Sequence, residues 1–405
     1  MFLINQHKLR KSISIFLLFF SFSLFAQFSL KTDKATANYD IGEIAEFTLL
    51  SPQSGTASYK LKYDNLTPVI AAGNIAVTAN VPATIPYQAT GAKVVLCEIT
   101  FNGATQTAAA VFDRDNIPLY SEEPDDFDQF WNNQKNISAS IPLDPQLTYL
   151  SGDADVTNYR INLANIDNRR VYGYISVPNG GTNLPAIITL PPYSAEANAA
   201  QPQSFIANRA QALSVTISVH NAEPDQVDPL AYEPNIINEA DSYYYRYAIL
   251  GTLRMIDYLY TRTDFDGQNV AVAGVSQGGG LALIAAGLDD RIKALTISNP
   301  AMCRHAGYDV DKAGGFPYYA QRSDFLINDP THYMQTLAAS RYYEAAYFAR
   351  RYQGPTLAVV SYEDDVTAAE TSLAALNELR GKKIIAHARD PVSYTHLTLP
   401  TNREV

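Results

Sequence analysis

Two patterns of hydrophobic and polar residues divide the chain, and each predicts its own architecture. Between residues 28 and 112, short stretches of alternating apolar and polar residues are separated by Gly, Pro and Asn, which is typical of a small β-sandwich. We expect an immunoglobulin-like domain over residues 27–113. Because this segment carries no catalytic constellation, a packing role is favoured over a sugar-binding role. Its strands are predicted at Glu46–Leu50, Ser58–Tyr63, Ile75–Ala79, Lys93–Phe101 and Ala108–Phe112.

Over residues 114–391 the pattern becomes an alternation of strand-like and helix-like runs, after a segment with Pro and Asp at 113–125. This alternation implies a mainly parallel sheet covered by helices on both faces. The aromatic-rich segment Pro300–Arg351 interrupts it and is predicted to form a lid. Helices are predicted at Asp126–Ile137, Ala240–Arg262 and Thr367–Leu379. Strands are predicted at Gln146–Leu150, Asn158–Ala164, Arg170–Val177, Ala186–Leu190, Leu213–Val219, Val270–Val275, Ile292–Ser298, Thr356–Ser361 and Lys383–Ala388.

A Gly-x-Ser-x-Gly motif lies where the strand Val270–Val275 meets the helix-like run Leu281–Leu288. In a strand–turn–helix context the motif indicates a nucleophile elbow, with Ser276 as the nucleophile. Gly274 and Gly278 permit a tight, strained turn that raises the serine hydroxyl above the edge of the sheet. A chance match is the alternative, and the flanking strand and helix count against it. Together with the alternation, the motif predicts an α/β-hydrolase fold.

A serine nucleophile needs a base to accept its proton and a carboxylate to orient that base. In this fold the chain order is Ser, then Asp or Glu, then His, so the acid is expected after the strand Thr356–Ser361. The residues there are Glu363-Asp364-Asp365, and we choose Asp364, with Asp365 as the alternative. A further alternative is that these acids only cap the helix that begins near Thr367.

The base should come from a loop after the last strand. Of the six histidines, His7 lies in the expected signal peptide, three others precede Asp364 (His220, His305 and His332), and His387 fits a packed strand position. In that loop-like region, only His396 remains.

The tail 392–405 has neither helical nor strand periodicity and resembles the conceptual translation of a transposase adapter used in sequencing libraries. Our hypothesis is that the natural protein departs from this sequence near Asp390 or Pro391, with the catalytic histidine just beyond, so that this chain lacks its general base. Resequencing the locus from its source tests this. A native reading frame that continues through Val405 would contradict it.

Two backbone groups are candidates for stabilising the oxyanion of the tetrahedral intermediate. The N–H of Gln277 lies at the expected N-terminus of a helix, where a developing negative charge is favoured. The loop after the strand Ala186–Leu190 begins Pro191-Pro192-Tyr193, and because prolines have no N–H, Tyr193 is the first donor available there. The alternative for this loop is an ordinary rigid turn.

Composition narrows the classes of function. A net charge of −11 argues against nucleic acid as a partner, and no Cys/His cluster has the spacing of a metal site. The first 26 residues read as a signal peptide, with a basic start, an apolar stretch at Ile13–Phe25 and Ala26 at the cleavage point, so export to the periplasm or outside the cell is expected. A membrane anchor is the alternative, although the apolar run is short for a span.

The chain resembles the acetyl xylan esterase and cephalosporin-C deacetylase family of α/β-hydrolases from about Asp125 to Asp390. Four stretches carry the resemblance: Asp126–Trp131 followed by Pro142–Pro145, Tyr243–Arg246, Gly274–Gly280 and Asn299–Cys303. Two features depart from the family: Pro191-Pro192 replaces the usual His-Gly before the oxyanion tyrosine, and the N-terminal β-rich domain is an addition.

The resemblance implies Ser276 as nucleophile, Asp364 as acid, and the N–H groups of Gln277 and Tyr193 as oxyanion donors. It implies deacetylation of xylo-oligosaccharides or similar small esters without a cofactor, in a ring-shaped homo-oligomer whose active sites face an inner chamber. The rival hypotheses are a peptidase or thioesterase on the same fold, and a non-catalytic carbohydrate-binding or scaffold protein in which the elbow is a relic.

Overall fold

The computed structural model describes residues 28–63, 69–193, 200–219, 223–224, 239–304, 314–316, 328–364 and 366–388. The expected signal peptide, Asp365, His396 and the tail 392–405 lie outside the described residues. Within the described ranges, no helix combines the length and the apolar character needed to cross a membrane.

The N-terminal part consists of two β-sheets that pack face to face. One sheet has the strand order β1-β3-β6 and the other β2-β8-β7-β4-β5. Their shared core includes Phe47, Leu61, Ile99 and Phe112. The strands are β1 Ser29–Thr32, β2 Asn38–Tyr39, β3 Ile44–Leu50, β4 Gly55–Tyr63, β5 Val69–Val77, β6 Ala83–Gln88, β7 Lys93–Phe101 and β8 Ala104–Phe112.

The five-stranded sheet is buried on both faces where β7 and β8 run. Val95 and Cys97 of β7 face the sandwich core, whereas Val94 and Leu96 of the same strand belong to the core of the larger C-terminal part. Successive strand residues point to opposite faces, so β7 connects two cores. The N-terminal sheets are therefore packed firmly against the rest of the molecule.

The C-terminal part is built on a nine-stranded mixed sheet with the order β17-β16-β15-β14-β12-β13-β11-β10-β9. Its strands are β9 Gln146–Gly152, β10 Val156–Ala164, β11 Arg170–Pro178, β12 Leu184–Leu190, β13 Leu213–Ser218, β14 Phe265–Val275, β15 Ile292–Ser298, β16 Thr356–Ser361 and β17 Lys383–Ala388. Its helices are α1 Phe127–Ala139, α2 Ser204–Ala210, α3 Tyr244–Leu259, α4 Gln277–Leu288, α5 Pro330–Ser340, α6 Ala345–Ala349 and α7 Ala369–Asn377.

Strands β12 to β17 pair in parallel, whereas β9, β10 and β11 are joined by antiparallel pairs and β11 is antiparallel to β13. The carboxyl ends of the parallel strands therefore lie along one edge of the sheet. In open α/β sheets, ligands bind outside this edge. The residues that directly follow β12, β14, β15 and β16 lie at this edge.

The prediction that all of Pro300–Arg351 forms a lid is wrong for its last part. Tyr343 and the whole of α6 are fully buried. Phe348 packs against Phe127 with ring centroids 4.9 Å apart, and the indole N–H of Trp131 donates to the carbonyl of Tyr342 (2.8 Å). The aromatic residues of this segment thus fill the core beside α1 and α4, because their apolar area is more stable when removed from water.

Candidate active site

Ser276 occupies the tight turn between β14 and α4, as the motif predicted. Its backbone has φ 54° and ψ −119°, a region that side-chain-bearing residues rarely adopt. Such strain costs on the order of 1–3 kcal/mol and persists only where the surroundings enforce it. Here the Ser276 N–H donates to the carbonyl of Ser298 (2.8 Å), and the Ser276 carbonyl accepts from the N–H of Ala301 (2.9 Å).

The Ser276 residue is more enclosed than the sequence suggested. We expected a hydroxyl raised clear of the sheet edge, but the residue is only 5% exposed. Pro300 and Ala301 pack against the first turn of α4, where a Cβ on Gly279 would lie 3.1 Å from the Pro300 Cα. Ser276 is therefore largely enclosed at this edge of the sheet.

Gly278 allows the loop after β12 to approach the elbow. A Cβ placed on Gly278 would overlap the carbonyl oxygen of Leu190 and would lie 2.8 Å from that of Pro191. Both are backbone atoms, so neither can rotate away. This approach brings the loop that carries Tyr193 against the turn that carries Ser276.

We expect Gly278→Ala to lower the free energy of unfolding by about 3 kcal/mol, because the added methyl group must push two backbone segments apart. Gly91→Ala is the control, since a Cβ on Gly91 has nothing within 4 Å. Urea unfolding of both variants, followed by circular dichroism, measures the difference. Equal transition midpoints for the two variants would contradict the close approach.

Gln277 is the first residue of α4, a position whose N–H has no carbonyl partner one turn earlier in the helix and which suits an anion. Its side chain is fully buried, and Gln277 Oε1 accepts a hydrogen bond from the Tyr245 hydroxyl (2.6 Å). Tyr245 belongs to the stretch Tyr243–Arg246 that opens α3. This stretch therefore contacts the residue next to Ser276 and holds its side chain in place.

Tyr193 follows the two prolines at the carboxyl end of β12, beside the elbow. It is 45% exposed, and its ring lies 5.5 Å from that of Phe316. The structure places Tyr193 on the same edge of the sheet as Ser276 and Gln277. Its role as an oxyanion donor stays a prediction.

Asp364 lies three residues after the end of β16 and is 3% exposed. Its Oδ2 accepts from the Asn299 side chain (2.5 Å), and Asn299 directly follows β15. β15 lies between β14 and β16 in the sheet. Asn299 therefore lies between the strand end that carries Ser276 and the strand end that carries Asp364. Asn299 Oδ1 in turn accepts from the Ser361 N–H (2.8 Å), which fixes the amide orientation.

The other oxygen of Asp364 organises the turn before α7. Asp364 Oδ1 accepts from the N–H groups of Val366 (2.9 Å) and Thr367 (2.6 Å) and from the Thr367 hydroxyl (3.1 Å). The alternative role, in which Asp364 only supports the start of the helix, therefore accounts for Oδ1 and not for Oδ2. The residue at the N-cap position of α7 is Ala368. A carboxylate oxygen has two lone pairs, so the bond from Asn299 does not by itself prevent Oδ2 from orienting a base.

The base remains unplaced, because the residues after Ala388 lie outside the described part of the chain. β17 is parallel to β16, so the chain leaves β17 at the same edge of the sheet as Asp364. His387 lies within β17 and stacks on Tyr362 with ring centroids 4.0 Å apart. With Glu363 and residues of β1 and β8 it borders a cavity of about 360 Å³. It is a packed strand residue, as expected.

Across the described ranges, no group of three or more His, Cys, Asp or Glu side chains is arranged to hold a metal ion. Cys97 and Cys303 are both buried free thiols, and burial raises the pKa of each.

The chain is similar to known esterases. The family described as acetyl xylan esterase matches residues 118–391. Acetyl esterase Axe7A of Xylanibacter ruminicola is 26% identical over 288 residues, which are 67% of this chain and 64% of that protein. The chain therefore spans less than two thirds of that relative.

Two solved structures share the fold. The acetyl xylan esterase from a Paenibacillus species is 27% identical, with a TM-score of 0.60 over 68% of this chain and 92% of that one. Acetyl xylan esterase 1 from a Thermoanaerobacterium species is 22% identical, with a TM-score of 0.58 over 68% and 90%. The predicted α/β-hydrolase fold is confirmed for the C-terminal part. Because the family match covers more than half of the chain, the protein belongs to the acetyl xylan esterase family.

Proposed function

We propose that the protein is a serine carbohydrate esterase that removes acetyl groups from acetylated xylo-oligosaccharides or similar small acetyl esters through an acyl-enzyme. The observation that carries the proposal is the strained backbone of Ser276 between β14 and α4. The hydrogen bond from the Asn299 side chain to the buried carboxylate of Asp364 supports it. Strained serines in this context are found where the hydroxyl acts as a nucleophile.

The reaction follows from the roles of these groups. The Ser276 hydroxyl attacks the acetyl carbonyl, and the backbone N–H groups of Gln277 and Tyr193 stabilise the oxyanion of the tetrahedral intermediate. The base that accepts the serine proton then protonates the departing sugar oxygen. Water, activated by the same base, releases acetate from Ser276 and regenerates the free enzyme.

We further propose that the base is a histidine from the loop after β17, oriented by Asp364, and that it lies beyond the point near Asp390 where this sequence departs from the natural one. The parallel pairing of β16 and β17 supports this location. The relatives are acetyl xylan esterases or an acetyl esterase by name, which supports the acetyl group and the carbohydrate as substrate class.

Three expectations from the sequence remain proposals beside this one. The N-terminal signal directs export, the protein assembles into a homo-oligomer, and the two N-terminal sheets form an immunoglobulin-like domain. The packing of Val94 and Leu96 into the core of the C-terminal part supports a packing role for that domain.

The substrate class can be tested on the chain completed with its native C-terminal residues. We expect kcat/KM for acetate release from acetylated xylo-oligosaccharides to exceed that for an acetyl thioester or an acetylated peptide by about 100-fold, because specificity arises from groups fitted to the sugar. Acetate is quantified by NMR, with the deacetylated oligosaccharide as the control. Faster turnover of the thioester would favour the thioesterase hypothesis, and cleavage of a peptide bond would favour the peptidase.

A further inference from the structure

One short segment contacts Ser276 and Asp364 and reaches the Tyr193 loop through Phe316. We call residues 299–304, which follow β15, the strap. The side chain of Asn299 binds Asp364, the N–H of Ala301 binds the carbonyl of Ser276, and the N–H of Met302 binds the carbonyl of Phe316, whose ring lies against Tyr193. The position of the strap therefore bears on the nucleophile, the acid and the loop of the second oxyanion donor together.

The strap is strained along its backbone. Asn299, Met302 and Arg304 have φ angles of 41°, 61° and 51°, and none of them is a glycine. Each such residue costs free energy that neighbouring contacts must offset. Three of them within six residues require a strong anchor.

The anchor is Arg304 at the end of the strap, which is fully buried. Its Nη1 donates to Glu370 Oε1 (2.8 Å), and its Nη2 donates to the carbonyl of Pro118 (2.6 Å). Its backbone N–H donates to Glu344 Oε1 (2.9 Å). The guanidinium also lies over the ring of Tyr120, 4.7 Å from the centroid.

Glu370 connects this anchor to the N-terminal sheets. It lies in the first turn of α7 and is 6% exposed, and its Oε2 accepts from the backbone N–H of Val94 in β7 (3.1 Å). One carboxylate therefore joins the strap to the N-terminal domain. A buried charge whose partner is removed is left uncompensated, so the strap should lose its anchor when either member changes.

We propose that Arg304 and Glu370 are positioning residues through which the N-terminal β-domain holds the strap, and with it Ser276, Asp364 and the Tyr193 loop, in the geometry for ester hydrolysis. Neither side chain touches substrate. The inference rests on the proposed function, and it makes the N-terminal domain part of the esterase site.

The test is made in the chain completed with its native C-terminal residues, which carries the expected base. Glu370→Gln keeps the shape of the side chain and removes its charge. The matched control is Glu123→Gln, which also removes the negative charge of a carboxylate that pairs with arginine side chains. Glu123 binds Arg350 and Arg351 and does not contact the strap. With p-nitrophenyl acetate, we expect Glu370→Gln to lower kcat by about 100-fold, with KM changed by less than about 3-fold, because a small misplacement of reacting groups is costly. Glu123→Gln should leave kcat unchanged.

Hydrogen exchange provides a second readout that does not require activity. In Glu370→Gln, the amides of the strap, including those of Ala301 and Met302, should exchange about 10-fold faster or more, because their hydrogen bonds depend on the anchor. Exchange in Glu123→Gln should match the unmodified protein in this segment. If the completed chain without substitutions hydrolyses no acetyl ester, the proposed function fails, and hydrogen exchange in the strap then decides the inference by itself. Unchanged exchange in the strap of Glu370→Gln, or an equal loss of kcat in both variants, would overturn it.

Discussion

Replacing Ser276 with alanine is expected to lower kcat for acetyl ester hydrolysis by about a million-fold in the chain completed with its native base, and to abolish covalent labelling by a fluorophosphonate. The residual rate would come from substrate binding and the oxyanion donors, which do not depend on the hydroxyl. Stopped assays with p-nitrophenyl acetate and mass spectrometry of the labelled peptide measure the two effects.

Ser298→Ala is the control for this substitution. Ser298 ends β15 on the same edge of the sheet and is also buried, and its carbonyl accepts from the Ser276 N–H, a contact that the substitution retains. Labelling and kcat should stay close to those of the unmodified protein. A Ser276→Ala variant that still turns over acetyl esters would mean that another group is the nucleophile. If the completed chain without substitutions shows neither labelling nor turnover, the elbow is a relic in a binding or scaffold protein.

The sequence predicted best the elements whose apolar runs are continuous and bounded by turn residues. β15, β16 and β17 have the bounds that the pattern indicated. The short strands β1, β2 and β6 were not predicted, since two of them are four residues or fewer and β6 contains Pro86, which is unfavourable in a strand. The segment 240–243 was included in the helix, whereas α3 begins at Tyr244.

The near-continuous apolar run of β7 indicates that this strand is buried on both faces. A strand with one face in water alternates apolar and polar residues, but Val94-Val95-Leu96-Cys97 has four apolar residues in succession. Such a run indicates burial on both faces, and in the structure β7 is buried by the sandwich core on one face and the larger core on the other. The sequence could therefore have indicated that the N-terminal domain is packed against its neighbour.

In the candidate site, local motifs predicted that Ser276 follows β14 and that Asp364 follows β16, but they did not predict the residues that hold these side chains in place. The bond from Asn299 to Asp364 joins residues 65 apart in sequence, and the pair Arg304–Glu370 joins residues 66 apart. Such contacts depend on which strands and helices become neighbours in the folded chain. Asn299 could still have been suspected, because it follows the strand between those of the nucleophile and the acid.

The general base is expected to lie outside the present sequence. His396 is the one histidine in the loop-like sequence after β17, so if it were the base, His396→Ala would lower kcat by about a million-fold. We expect instead that His396→Ala leaves kcat unchanged, because the tail 392–405 is foreign to the protein in our hypothesis. Replacing the residues after Asp390 with the native segment found by resequencing should raise kcat by about four to six orders of magnitude, since a histidine would then complete the triad with Ser276 and Asp364.

The control for the restored chain is the substitution of its new histidine by alanine, which should return kcat to the level of the present sequence.

Asp364→Asn in the restored chain should lower kcat by about 10⁴-fold, because the histidine would be held in the wrong tautomer. In the present sequence the same substitution should change kcat little, since Asp364 would have no base to orient. A large loss of kcat for Asp364→Asn or His396→Ala in the present sequence would mean that it already holds a working triad, and the hypothesis of a foreign tail would then be wrong.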